Sequence, residues 1–162
     1  MAKYADLKLA HRIFMRRYPF SNYAISDVPG ASMRKPLAES RVALITSAGL
    51  RLATHDAFDR SIRTGDTSFR EIPNDTDVGV LIEDHKSSAF DHSGVAADAN
   101  LAFPLDRFRE LVAAAEIGEL NHRHFSFMGS IIGPERLIGE SAPAVAELLV
   151  ADEVDCVFLT PV

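Results

Sequence analysis

The stretch Thr64-Gly-Asp-Thr-Ser-Phe-Arg70 brings a carboxylate, a hydroxyl and a guanidinium close together. An arginine fork holds a carboxylate at two points, so Asp66, Ser68 and Arg70 are candidates to orient and act on a small polar substrate. The same residues also read as a solvated turn capped by the Asp66 side chain. In Phe90-Asp-His-Ser-Gly-Val-Ala-Ala-Asp-Ala-Asn100, His92 follows Asp91. Its imidazole titrates near neutrality and could serve as acid or base, although a loop histidine is also ordinary surface. His122-Arg-His124 leads into an apolar run. Alternation on a strand would put both imidazoles on one side, as a metal pair requires, but no nearby carboxylate or thiol completes the set. No metal is assigned, and His124 stands as a candidate substrate-facing or acid–base group.

Two strand ends carry small residues, Ser47-Ala-Gly49 and Met128-Gly-Ser130. Small residues let a ligand approach the backbone closely, which makes Ser47, Gly49, Gly129 and Ser130 candidates for substrate binding. The one cysteine, Cys156, sits in an apolar strand and reads as core. A single cysteine also excludes an internal disulfide or a cysteine-rich zinc site. No dinucleotide glycine fingerprint, Walker-type lysine loop or Gly-x-Ser-x-Gly elbow is present.

The elements that must position these residues follow from periodicity. Residues 4–18 have a helical pattern that stops before Pro19, and residues 20–36 form a Ser-, Pro- and Gly-rich connection. Val42–Thr46 is a buried strand, residues 50–77 a long polar loop, and Val78–Ile82 a second strand. A helix over 105–115 has Pro104 at its start and Gly118 past its end. His124–Gly129 is the third strand and Val154–Leu159 the last. Between them 134–151 is helical, with Ser141 as N-cap of a part restarted at Pro143. Strands alternating with helices predict a single α/β domain over 1–162: a three-layer, Rossmann-like or flavodoxin-like, mainly parallel sheet with helices on both faces. The carboxyl ends of such strands are where ligands gather.

With 47% apolar and 25% charged residues and a net charge of −6, the chain has an ordinary globular composition. Its charge argues against a general nucleic-acid binder. No apolar run approaches the ~20 residues needed to cross a bilayer. A cytoplasmic protein with no membrane association is expected.

Several stretches in order resemble one family: Arg41-Val-Ala-Leu-Ile-Thr-Ser-Ala-Gly-Leu50, Gly65-Asp-Thr-Ser-Phe-Arg-Glu-Ile-Pro73, Asp98-Ala-Asn-Leu-Ala-Phe-Pro-Leu-Asp-Arg107, Ile117-Gly118, His124-Phe-Ser-Phe-Met-Gly129 and Val154-Asp-Cys-Val-Phe-Leu-Thr-Pro-Val162. Together they are similar to the selenoprotein B subunit of the glycine, sarcosine, betaine and D-proline reductases, in particular its short stand-alone relatives. The resemblance implies reductive chemistry, in which a selenolate or thiolate attacks the substrate and a second thiol resolves the adduct. It places the redox pair, selenocysteine or cysteine with a second cysteine two or three residues on, just beyond Val162. Because UGA encodes selenocysteine and is commonly read as a stop, truncation at that codon is the expectation, and the chain as given should then lack activity. The resemblance also implies a small-molecule substrate, a thioredoxin-like thiol reductant and an activating subunit, and a homo-oligomer is a further expectation. Within the matching stretches, Asp66, Ser68 and Arg70 lie in the loop, Asp106 and Arg107 at the helix start, and His124 on the third strand. Their roles, catalytic for the first three and for His92 and His124, substrate-binding for Asp106 and Arg107, are inferred from residue chemistry. Two other readings stay open: a non-enzymatic domain holding a small acidic ligand, and a metal-dependent hydrolase using His92, His122 and His124 with an aspartate.

Overall fold

Strands Arg41–Thr46, Arg123–Phe127 and Cys156–Thr160 run in the same direction because the connections that link them in sequence cross back over the sheet. A computed structural model describes residues 7–18, 30–88, 90 and 92–162. The chain divides into two compact units, Met1–Ala31 and Ser32–Val162. In the first, helix α1 (Leu9–Arg17) ends on Arg16 and Arg17, cations that suit the negative end of a helix. The predicted start at Tyr4, and most of the connecting segment, lie outside the described residues.

The second unit is α/β. Strand β1 (Arg41–Thr46) is central and pairs in parallel with β7 (Cys156–Thr160) along its length. On its other side it pairs in parallel first with β5 (Glu119–Leu120) and then with β6 (Arg123–Phe127). An antiparallel edge strand, β3 (Phe69–Pro73), completes the sheet beyond β6. A small separate ladder joins β2 (Leu50–Arg51) to β4 (Ile82–Glu83).

The two sheet faces are covered separately. Leu44, Ile72, Phe103 and Leu105 form one core, beneath α2 (His92–Ala97) and α3 (Leu105–Ala113). Ala43, Phe125, Phe127, Val145 and Leu149 form the other, beneath α4 (Ala142–Ala151). Alternation within β1 sends Leu44 to one core and Ala43 to the other, which is why its sequence is a continuous apolar run. Burying a side chain of the size of Phe103 or Phe125 stabilises the fold by about 1.5–3 kcal/mol.

Several expectations are corrected. The 50–77 stretch is not all loop, since β3 lies inside it. An edge strand needs few inward apolar residues, here Phe69 and Ile72 on opposite faces, and tolerates Pro73 at its end. Val78–Val80 is a 3-10 turn capped by Asp77, not a strand of the main sheet. Gly118 is not the cap of α3. The left-handed residue there is Ala115, while a Cβ on Gly118 would meet the backbone of Glu39 and Ser40 at 2.7–2.8 Å. Ser141 is already helical and caps nothing. A π-helical turn, Leu137–Ser141, widens the helix ahead of Pro143, which lacks the N–H of a regular helical bond. Cys156 is half-buried rather than core.

Candidate functional site

Parallel β1, β6 and β7 deliver their carboxyl ends to one edge, and the turns there are tied together. Gly49 N–H donates to the Phe127 carbonyl at 2.8 Å, Ser47 N–H to the Thr160 carbonyl at 3.2 Å, and Val162 N–H to Ser47 Oγ at 2.9 Å. Since β3 is antiparallel, the loop before it arrives at the same edge. The N–H groups of Ile132 and Gly133 donate to Thr64 O at 2.8 and 3.1 Å. Between these turns and α4 lies a cleft of about 630 Å³ with Ser47, Gly129 and Ser130 at its rim and Leu137, Val145 and Leu159 in its walls. A second cleft, of about 620 Å³, is lined by Thr64, Asp66, Ser68 and Arg136 among others. The rim is conformationally unusual. Gly49 and Gly129 have φ of 69° and 71°, and Ser130, which has a side chain, has φ of 50°. A left-handed non-glycine residue costs of order 1 kcal/mol and marks a place to look for function.

The loop candidates are brought to this edge, but their polar atoms are engaged with one another. Asp66 accepts from the N–H of Asp59 and of Ser68 at 2.8 Å, and from Ser68 Oγ at 2.7 Å. Arg70 donates to Ser68 Oγ at 3.0 Å and to the carbonyls of Asp56, Ala57 and Phe69, and it stacks 4.2 Å over the Phe58 ring. Asp66 thus shapes the loop, and Arg70 fastens it to residues 56–58.

His124 and His122 part company. The strand begins only at Arg123, so His122 is exposed and His124 is wholly buried. Register explains what His124 does. Between the β5 and β6 pairings residues 121–124 face only Ala43 and Leu44, a bulge of two residues at which the Leu44 N–H turns to a side chain. His124 Nδ1 accepts that N–H at 3.1 Å, while Nε2 faces Asn74 Oδ1 at 3.3 Å. Burial drives its pKa down to about 3, so the ring is neutral at physiological pH. The metal-pair geometry is not formed.

His92 opens a separate pocket of about 670 Å³ shared with Glu83, Asp98, Asn100 and Asp106. Its Nδ1 lies 2.5 Å from Glu83 Oε2 and its Nε2 3.0 Å from the Ser87 carbonyl. Two acceptors favour the doubly protonated ring, and the Glu83 bond chiefly raises its pKa. Asp91 lies outside the described residues. Asp106 receives Arg109 at 2.7 Å and Asn100 at 3.0 Å, and Arg107 is an exposed side chain paired with Glu110. The candidates therefore fall into three places rather than one.

One residue escapes sequence reasoning altogether. His85 is 2% exposed and lies between the two left-handed glycines of the rim. A Cβ on Gly49 would stand 2.8 Å from His85 N, and one on Gly129 would stand 2.6 Å from its Nε2 and 2.2 Å from Ser47 O. Phe90 stacks on its ring at 4.5 Å. A lone histidine in a polar stretch carries no periodic signal. Only the glycines, distant in sequence, show that space was kept for it.

The family profile described as glycine/sarcosine/betaine reductase selenoprotein B matches residues 7–162. The chain belongs to this family. It is 33% identical over 126 residues to D-proline reductase subunit gamma of Acetoanaerobium sticklandii, covering 78% of this chain and 50% of that one. It is 30% identical over 158 residues to sarcosine reductase complex component B subunit beta of Peptoclostridium acidaminophilum, covering 94% of this chain and 34% of that one. The chain thus spans half or less of the length of these curated relatives, both named as subunits of reductases. No solved structure matches it. Among the described residues, no helix is long and apolar enough to cross a membrane.

Proposed function

We propose that this chain supplies the scaffold and substrate cleft of a selenol- or thiol-dependent reductase of the selenoprotein B type. The observation that carries this reading is the convergence of the β1, β6 and β7 ends on one apolar cleft, in a chain of a reductase family. Leu137, Val145 and Leu159 would exclude water and hold the apolar part of a small substrate, while Ser130 offers a hydroxyl at the rim. The chain's own thiol does not face this cleft. Cys156 alternates with Val157 and Leu159, which line it, and so points to the other side of the sheet.

A redox pair must then come from elsewhere, and the family resemblance places it in polypeptide after Val162. Thr160–Val162 run beside Ser47 at the cleft mouth, so a segment continuing from them would be delivered there. A selenol–thiol pair supplies two electrons as it closes to a selenenylsulfide. The relatives' names motivate a partner subunit and a small amino-acid substrate, and the family resemblance adds a thiol reductant. Genomic DNA tests the reading: UGA after the Val162 codon and an in-frame cysteine codon shortly beyond are expected. A UAA or UAG codon there, or no such cysteine, refutes it.

A further inference from the structure

We propose that His85 is the polar anchor of the strand-end cleft, donating its Nε2–H to a carboxylate oxygen of a small ligand that reaches it by displacing the Gly129–Ser130 turn. This deepens the reductase reading and rests on it for the ligand class. The ring's tautomer follows from its bonds: Nδ1 accepts the Ser87 N–H at 3.1 Å, so the ring proton belongs on Nε2. That Nε2 is buried and, among the described residues, has no hydrogen-bond partner. A buried donor left unmade costs about 1–3 kcal/mol and calls for an explanation, which a ligand acceptor supplies.

The direction in which the donor faces is set by the glycines. Nε2 abuts Gly129, whose other side lines the cleft. Two strong polar groups of this edge are already engaged, Asp66 with Asp59 and Ser68, and Arg70 with carbonyls. The wall between His85 and the cleft is the left-handed pair Gly129–Ser130. Ser130, a non-glycine residue at φ 50°, is the strained member, and such residues cluster at ligand clamps and switch regions. A ligand with a carboxylate and a short apolar body would displace that turn, take the His85 proton as a hydrogen bond, and rest its body on Val145 and Leu159.

The test is NMR of the full chain labelled with 15N-histidine, titrated with D-proline, sarcosine and glycine betaine. The expected result is an Nε2–H tautomer for His85 and a saturable shift of its ring signals with at least one probe. His85→Phe, which keeps the ring packing on Phe90, should weaken that binding tenfold or more. An Nδ1–H tautomer, or ring signals unmoved by all three probes, overturns the proposal without recourse to any variant. Binding within twofold of wild type in a folded His85→Phe protein also overturns it. The reductase reading fails separately, on the downstream codons.

Discussion

Lowering the pH should destabilise this protein through His124, and the size of the effect follows from the site. In the folded chain the ring is buried and neutral, with a pKa of about 3 against 6.5 when exposed. Below pH 6.5 the unfolded chain binds a proton that the folded chain refuses. The stabilisation is therefore complete above pH 6.5 and is lost as pH falls toward 3. Between pH 7 and pH 5, at 1.36 kcal/mol per unit, the loss is about 2 kcal/mol. His124→Gln offers an acceptor for the Leu44 N–H and a donor for Asn74 but cannot titrate. At pH 7 it should be less stable by about 1–3 kcal/mol, because an amide fits the ring's two bonds less well. Urea denaturation followed by circular dichroism at pH 7 and pH 5 measures both effects. Wild type should lose about 2 kcal/mol more than the variant over that interval. Equal losses in the two proteins would refute the reasoning, since every other titrating group is shared.

Gly129→Ala places a methyl 2.2 Å from Ser47 O at a left-handed φ, and should lower stability by about 2–4 kcal/mol by urea or thermal melting. Gly139→Ala, with nothing within 4 Å, should instead be neutral or gain up to about 1 kcal/mol, and a matching loss at both sites would undo the argument. Asp66→Ala removes the acceptor for three loop hydrogen bonds, so limited proteolysis and amide exchange should accelerate across 59–70 while β1 and β6 stay protected. Uniform protection would show that the loop is held by Arg70 instead. Glu83→Gln should lower the His92 pKa from its raised value, measured by NMR titration, because the carboxylate bond is its main cause. An unchanged titration would mean that the Ser87 carbonyl suffices.

Several features were legible in the residues alone. Val42–Ile45 is a continuous apolar run, which only a strand covered on both faces requires, and α3 shows its stripe of Leu105, Phe108 and Leu111. The strand-end glycines likewise announced close backbone approach, and the co-linear motifs pointed to the family that the comparison with known proteins shows. Edge strand β3 was obscured because pairing on one side needs little apolar surface. The candidate histidines could not be ranked, because their chemistry depends on partners far along the chain.

Sequence by itself determined the α/β class, the central strands and the edge at which a site should gather, since periodicity and small residues are local properties. Tertiary structure alone decided which imidazole does what. A two-residue bulge turned His124 into a substitute for a backbone acceptor, Glu83 raised the His92 pKa, and two distant glycines enclosed His85 with a donor unpartnered among the described residues. Protonation and hydrogen bonding are set by burial and by neighbours in space, and neither is written in the spacing of residues along the chain.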